Sequence, residues 1–485
     1  MPDFPNWLTL IRRPNMSNSS GTDALTRTES DYWGDVSIPR QKLYGVNSVR
    51  GVENLSVSKR TIADVHEFVK AFALCKWAAA LANRDLGVLT DDQCRAIVGA
   101  CREIADGQHA ASLVVDLLEG SGGTSTNMNF NEVIANRAQQ LLGGLPGRYD
   151  LVHPNNHVNR SQSTNDVYPA AMKMAVYDLL APLVDELSLL TQAFEAKSGE
   201  FGDVLHLGRT CLQDAQPMRL GQVFGGYAAL ANRLADELRA VREKLLVLPL
   251  GGTAIGTGFG SPAGYRRAVF AHLVELSGIS YCAPDDSFDA MQNLDVFSRV
   301  SAELRVCGTS LGKIAADLIL LSSGPVGGLG EITLPAVQAG SSIMPGKVNP
   351  VVPMSIVQLG MAVVGNDTCV AQAVQYGQLE INHFEPVVAD RIFESVGLLT
   401  NGVRLFREKC VQGIRANVVV NERHLFESMA VATALVPTLG YAKVSELARK
   451  SVHQGQPLLK ILEETGVLSA TEARRHIEES THPAF

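Results

Sequence analysis

Residues 169–198, PAAMKMAVYDLLAPLVDELSLLTQAFEAKS, decide the architecture. Met172, Val176, Leu179, Leu183, Leu187, Leu190 and Phe194 recur at steps of three and four, the period of one face of an α-helix. The pattern predicts a helix of about eight turns, with Pro182 as a point of bending. Residues 290–322 repeat it through Leu294, Phe297, Leu304, Cys307, Leu311, Ile314, Leu318 and Leu321, until GPVGGLGE (324–331) stops the run. Similar segments occupy 217–247, 352–375 and 386–411. Helices this long, apolar on more than one face, predict a bundle completed by other copies of the chain. The fold class is therefore mainly all-α, with the few strand signals near the ends.

Length and composition bound the rest. A chain of 485 residues leaves room for about three domain-sized pieces. The expected division is a flexible extension at 1–25, an N-terminal domain at 26–160, a helical bundle at 161–418 and a C-terminal domain at 419–485. The extension carries an Arg pair but neither the apolar core nor the small-residue cleavage site of a signal peptide. A formal charge of −8, spread along the chain, offers no basic surface for nucleic acid or an acidic membrane. No apolar run reads as long enough to span a bilayer. The eight cysteines form no C-x-x-C pair and no zinc spacing. They read as mostly buried thiols of a cytoplasmic protein.

Four polar loops interrupt the apolar pattern: GSGGTSTNMNFNE (120–132), NRSQSTNDVYP (159–169), GRTCLQDAQPM (208–218) and GSSIMPGKVNP (340–350). They contribute Thr124; Ser163, Thr164 and Asn165; Thr210; and Ser341, Ser342, Lys347 and Asn349. Each is expected at a helix start, where free N–H groups add donors. A pocket of neutral donors with one fixed cation suits a small di-anion. Ser, Thr or Asn before a helix is ordinarily a cap. The last loop is too long for that role. It also misses the phosphate-loop pattern, because five residues separate Gly340 from Gly346 and Val348 stands where Ser or Thr would hold magnesium.

GSSIMPGKVNP closely resembles the signature of the aspartase/fumarase superfamily. GTSTNMNFNEVIANRA (123–138), NRSQSTNDVYP, LPLGGTAIGTG (248–258) and GQLEINHFEP (377–386) extend the resemblance over nearly the whole chain. TRTESDYWG, YGVNSVRGVENL and the terminal THPAF are more similar to the aspartase branch, whereas VHPN (152–155) looks more like fumarase. The resemblance implies a homotetramer with active sites shared by three subunits, a small dicarboxylate substrate and no organic cofactor, and the sequence itself shows no metal cage. The implied activity is reversible deamination of L-aspartate to fumarate and ammonia through an enediolate. By the same resemblance, Ser341 matches the general base, and Thr124, Ser163, Thr164 and Ser342 match the hydroxyls around the enediolate. Lys347 and Asn349 match the holders of the other carboxylate, Asn165 matches a contact to the amino group, and Thr210 lines the carboxylate side.

Two positions depart from the pattern together. Cys211 stands where many relatives have His, and Met354 where many have Glu. Free cysteine ordinarily packs as a small apolar group. Their loss bears on a hydroxide leaving group, which needs a positioned acid, more than on an amine that departs protonated. A fumarase-like hydratase, or a lyase for another succinyl compound such as an N-substituted aspartate, remains the alternative. A non-catalytic member would be expected to lack Ser341 or Lys347, and both are present.

Overall fold

The computed structural model describes residues 26–482, so the expected extension at 1–25 lies outside the described residues. Strands β1 (Thr26–Asp31) and β2 (Gly34–Pro39) pair antiparallel, Thr26 facing Pro39 and Asp31 facing Gly34. Helices α1 (Val46–Leu55), α2 (His66–Asp85), α3 (Asp91–Ala105) and α4 (Thr124–Leu141) follow, then α5 (Thr164–Glu200). The hairpin β3 (Leu205–Thr210)–β4 (Gln213–Arg219) leads to α6 (Leu220–Glu243), α7 (Tyr265–Ser277), α8 (Ser287–Gln292) and α9 (Asp295–Leu321). After β5 (Ile332–Thr333) come α10 (Val351–Gln375), α11 (Glu385–Lys409) and β6 (Arg415–Ala416), which pairs with β5. Five shorter helices end the described chain: α12 (Val418–Glu427), α13 (Val431–Leu439), α14 (Tyr441–Gln454), α15 (Leu458–Glu464) and α16 (Ala470–Ser480).

The five long segments read from periodicity are α5, α6, α9, α10 and α11. The longest, α5, runs 37 residues and contains both Pro169 and Pro182. Its stripe residues Met172, Val176, Leu183, Leu187, Leu190 and Phe194 are all fully buried. One core extends from Leu43 to Ile414, and a smaller one joins Leu205 and Leu207 of β3 to Leu425, Leu435, Leu447, Ile461 and Ile477.

Helix directions follow from their bonds. Glu186 of α5 accepts from Arg404 and Arg407 of α11 at 2.7 and 3.0 Å. The first turns of α5 and α11 also adjoin, because Gly122, one residue before the cap of α4, lies against His383 while Gly123 lies against Tyr168. The two helices therefore run parallel. Between α10 and α11, Asn366 donates to Ser395 Oγ at 3.0 Å and Leu359 fills the space beside Gly402. These helices run antiparallel, so the first turn of α10 faces the last turn of α11.

Two expectations change. The segment 208–218 is a β-hairpin and not a helix start. Its turn residues Cys211 and Leu212 both take left-handed φ, 51° and 60°, as a tight two-residue hairpin turn requires. No Asn-Gly or Asp-Gly pair marks that turn in the sequence. In addition, α5 and α10 are each long and apolar enough, by length and composition, to cross a membrane. Helix α5 is apolar because it is mostly buried in the core. Helix α10 packs along α9 and α11, yet shows an outer row of Met354, Ser355, Gln358, Met361, Ala362, Gly365, Thr368 and Ala371. Its one charged residue, Asp367, is engaged by Arg305 and Ser301, each at 2.7 Å. The exposed face therefore carries no charge.

Close packing of α9 on α10 rests on two glycines. A Cβ on Gly360 would lie 2.7 Å from the Gly308 carbonyl oxygen, a backbone atom that cannot swing aside. Gly360→Ala is expected to destabilise the protein by about 1–3 kcal/mol through forced separation of the helices. Gly199→Ala, with no atom within 4 Å of the new methyl, should change stability by at most about 1 kcal/mol, in the favourable direction. Thermal unfolding of the two variants beside the parent checks both.

Candidate active site

One cluster of polar residues forms where α4 and α5 begin. Gly123, at φ 88°, caps α4, and a Cβ there would sit 2.6 Å from the Tyr168 ring, so the two helix starts touch. Thr124 is the first residue of α4 and is exposed. Ser163 is the N-cap of α5, its Oγ accepting from the Asn165 N–H at 3.3 Å. Thr164 is buried beside Gly123. Asn165 Nδ2 donates to the Ala254 carbonyl at 2.8 Å, which ties the cluster to LPLGGTAIGTG. Capping thus describes Ser163 correctly, and the structure adds that the polar loop 120–132 and the segment 248–258 adjoin it.

Two buried charges beneath this cluster hold it in place. The Asp166 carboxylate accepts from the N–H groups of Ser163, Gly251 and Thr253 at 2.9, 2.9 and 3.1 Å. Burial pushes its pKa up to about 6, against the pull of those N–H groups and of Lys76. Lys76 Nζ donates to Asn127 Oδ1 at 2.7 Å and Asn159 Oδ1 at 3.0 Å. Asn127 and Asn131 also donate to Asn159 Oδ1, each at 3.1 Å. Burial pushes the Lys76 ammonium down to about 7, although Asp166 favours its charge. The sequence reading passed over both residues. The S-x-x-D spacing of Ser163 and Asp166 is a capping-box signal, and Lys76 is a lone cation in the apolar run FALCKWAAALA.

The second cluster lies at the other end of the bundle. In the 340–350 loop, Gly340 N donates to Lys347 O at 2.9 Å and Asn349 Nδ2 donates to Gly340 O at 2.6 Å. A Cβ on Gly340 would lie 2.5 Å from Lys347 O, so only glycine closes this loop. Ser341 Oγ accepts from the N–H groups of Ile343 and Met344 at 3.2 and 3.1 Å. Donors directed at a hydroxyl oxygen favour its anionic form. Ser342 and Lys347 are exposed, and none of the described ion pairs includes Lys347.

Thr210 ends β3 at the same end of the bundle, exposed beside the equally exposed Cys211. Cys211 and Met354 do not pack together as a buried apolar pair within the chain, for Met354 is also exposed. The roots of the hairpin and of the signature loop share one buried carboxylate. Glu331 is gripped by Arg209 and by His424 Nδ1 at 2.7 Å, while His206 Nδ1 bonds Asn421 Oδ1 at 2.8 Å. Burial would raise the Glu331 carboxyl, but its bonds from Arg209 and His424 and the charges of His206 and Arg209 hold it below its usual range.

The length of α11 separates the two clusters. Thr124, Ser163, Thr164 and Asn165 adjoin its start, and Ser341, Ser342, Lys347 and Asn349 precede the helix that faces its end. Twenty-five residues of α-helix span about 37 Å at the standard rise. No closure of one chain brings the two clusters to a single small molecule.

A family model described as Lyase matches residues 34–365. The aspartate ammonia-lyase of Helicobacter pylori strain J99 is 42% identical over 443 residues, covering 91% of this chain and 95% of that protein. The aspartate ammonia-lyase of Escherichia coli K12 is 40% identical over 462 residues, covering 95% and 97%. Among solved structures, a Brucella melitensis fumarate lyase:delta crystallin bound to cobalt superposes with TM-score 0.92 at 43% identity, covering 94% of this chain and 100% of the other. The class II fumarase of Schistosoma mansoni gives 0.89 at 30% identity, covering 95% and 100%.

The buried pair has a consequence for stability. The folded-state pKa of Lys76 is lowered, so between about pH 7 and its unfolded value the unfolded chain holds the extra proton. The parent should therefore gain on Lys76→Met as pH rises from 7 toward 10, by up to about 1.4 kcal/mol per pH unit. Paired denaturation curves across that range check the slope; a difference independent of pH would contradict a neutralised Lys76.

Proposed function

Since the chain belongs to the aspartase/fumarase superfamily of lyases, we propose that it converts L-aspartate to fumarate and ammonia in sites built from several copies. The observation that carries this reading is the separation of two complementary half-sites by the length of α11. One half offers hydroxyls and an amide at helix starts; the other offers a serine loop and a free cation. A homotetramer with antiparallel bundles would bring one copy's Ser341 loop to another's Thr164, with Thr210 from a third. The uncharged outer row of α10 supplies a face for that assembly.

In this reading Lys347 and Asn349 hold one substrate carboxylate. Ser341, its alkoxide stabilised by the Ile343 and Met344 N–H groups, removes the proton from the carbon beside the other carboxylate. The resulting enediolate gathers charge on oxygens faced by Thr124, Ser163, Thr164 and Ser342, with Thr210 on the same side. Hydrogen bonds to those oxygens strengthen as the charge develops, which is what lowers the barrier. Asn165 orients the amino group, which leaves as ammonia. Cys211 and Met354 stand in place of the His and Glu that would position an acid for a departing hydroxide, which favours an amine as the leaving group over the hydration reaction.

Fumarate absorbs in the ultraviolet, so turnover of aspartate and malate can be compared directly. Aspartate should be the faster substrate, and malate turnover equal to or above it would overturn the assignment. Ser341→Ala is expected to lower kcat by about 10³-fold. Ser341→Ala and Thr164→Val, each inactive alone, should recover about one quarter of parental activity when dissociated, mixed in equal amounts and reassembled, because one site in four then draws both intact halves. Recovery of nothing in mixed assemblies of parental size would exclude shared sites.

A further inference from the structure

We propose that Lys76, Asn159 and Asp166 are positioning residues that orient a single peptide unit, Gln162–Ser163, and through it aim the Ser163 hydroxyl. What that hydroxyl then does at an enediolate rests on the proposed reaction; its orientation does not. The unit is held at both ends. Its carbonyl, on Gln162, accepts from Asn159 Nδ2 at 3.3 Å, and its N–H, on Ser163, donates to Asp166 Oδ1 at 2.9 Å. The amide that holds the carbonyl cannot turn over. Asn159 Oδ1 accepts from Lys76, Asn127 and Asn131 at 3.0, 3.1 and 3.1 Å. Exchanging its oxygen and nitrogen would set N–H groups against all three donors, so Nδ2 stays pointed at Gln162.

Two fully buried ionisable groups therefore act on this peptide from opposite sides. Lys76 backs the carbonyl through Asn159, and Asp166 meets the N–H directly. A peptide dipole has its negative end at the carbonyl and its positive end at the N–H, so both contacts act in the same sense. The reversed unit would turn its carbonyl onto Asp166, which the Gly251 and Thr253 N–H groups hold in place. The loop needs such a hold. Ser161, two residues before Ser163, is not glycine yet takes φ 63°, a conformation that costs energy unless its surroundings impose it. Helix α2 imposes it: Asn83 accepts from Ser161 Oγ at 2.7 Å and donates to the Arg160 carbonyl at 3.0 Å. Asn83 lies two turns along α2 from Lys76, on the same face. One helix thus grips the loop twice, once at its strained residue and once at the peptide that enters Ser163. That residue's own φ of −125° and ψ of 160° then fix where the hydroxyl points.

Asn159→Asp separates positioning from packing. The new carboxylate still accepts from Lys76, so thermal stability should not fall, but it has no N–H for the Gln162 carbonyl. A crystal structure of this variant should show that carbonyl turned away from residue 159. Its kcat for aspartate should fall about ten-fold, with KM within about two-fold. Lys76→Met should show the same split. Asn131→Ala removes a donor from Asn159 Oδ1 but none from Gln162, and should leave kcat within about two-fold. A peptide that keeps its direction in Asn159→Asp, a KM that rises while kcat holds, or a loss in Asn131→Ala equal to that in Lys76→Met would overturn the proposal. A parent chain that turns over no aspartate would refute the proposed reaction instead, and the crystal comparison would still decide what orients the peptide.

Discussion

The packing of α10 against α11 is the constraint on which the rest depends. Gly308 and Gly360 let α9 and α10 approach to backbone contact, and Asn366–Ser395 and Leu359–Gly402 set the antiparallel register of α10 on α11. Once that register is set, the chain leaving α10 has only the short connection 376–384 in which to turn. The start of α11 is thereby placed at the start of α5, and the loop before α10 at the opposite end. A geometry that looks wasteful in one chain, with a serine and a lysine far from the hydroxyls they would serve, follows directly from two helices of equal length packed side by side.

The sequence carried more of this than its lack of obvious motifs for metal or nucleotide would suggest. The long helices were legible because burial on one face imposes a 3.6-residue period, and α5 is buried along nearly the whole stripe from Met172 to Phe194. The hairpin at 205–219 was not legible. Its turn is made by Cys211 and Leu212, residues with no preference for left-handed φ, and is held by the Arg209–Glu331 pair, whose partners are 122 positions apart. Local propensity reports nothing of a partner that distant. Lys76 and Asp166 were missed for a related reason. A buried charge becomes recognisable only when its bonding partners are known, and those of Lys76 lie on two other segments. The polar loops were legible by their residue types, but their division into two remote groups depends on helix direction, which no single segment encodes.

The two clusters also differ in how they are held. Around Ser163 the support is dense: a capping box, an accepted N–H from each of two further positions, and a buried lysine whose amide partners converge on Asn159. Each bond lies in an environment of low dielectric, where loss of one partner strands another. That end of the bundle is built to keep oxygens and amides at fixed positions, which is what stabilising a developing charge requires.

The signature loop is built the other way. Its root is rigid, because the fully buried Glu331 holds the hairpin through Arg209 and helix α12 through His424, and its backbone carbonyl accepts from Asn417 and Asn421. Beyond that root, apart from the Val351 N–H that donates to Asn349 O at the start of α10, the hydrogen bonds described for residues 340–349 are made within the loop itself: Gly340 to Lys347, Lys347 to Met344, Asn349 to Gly340, Ile343 and Met344 to Ser341. A segment closed on itself can swing as a unit without breaking any of them. The Ser341 oxygen would then keep both of its N–H donors throughout such a swing, so that, on the proposed reading, the groups that would make it a better base travel with it and need not be assembled at the substrate. The cost of such a swing would fall on the few residues between Leu334 and Ala339 and on the joint with α10 at Asn349 and Pro350, and on the proposed reading the Ser341 oxygen would reach the substrate with its donors already in place.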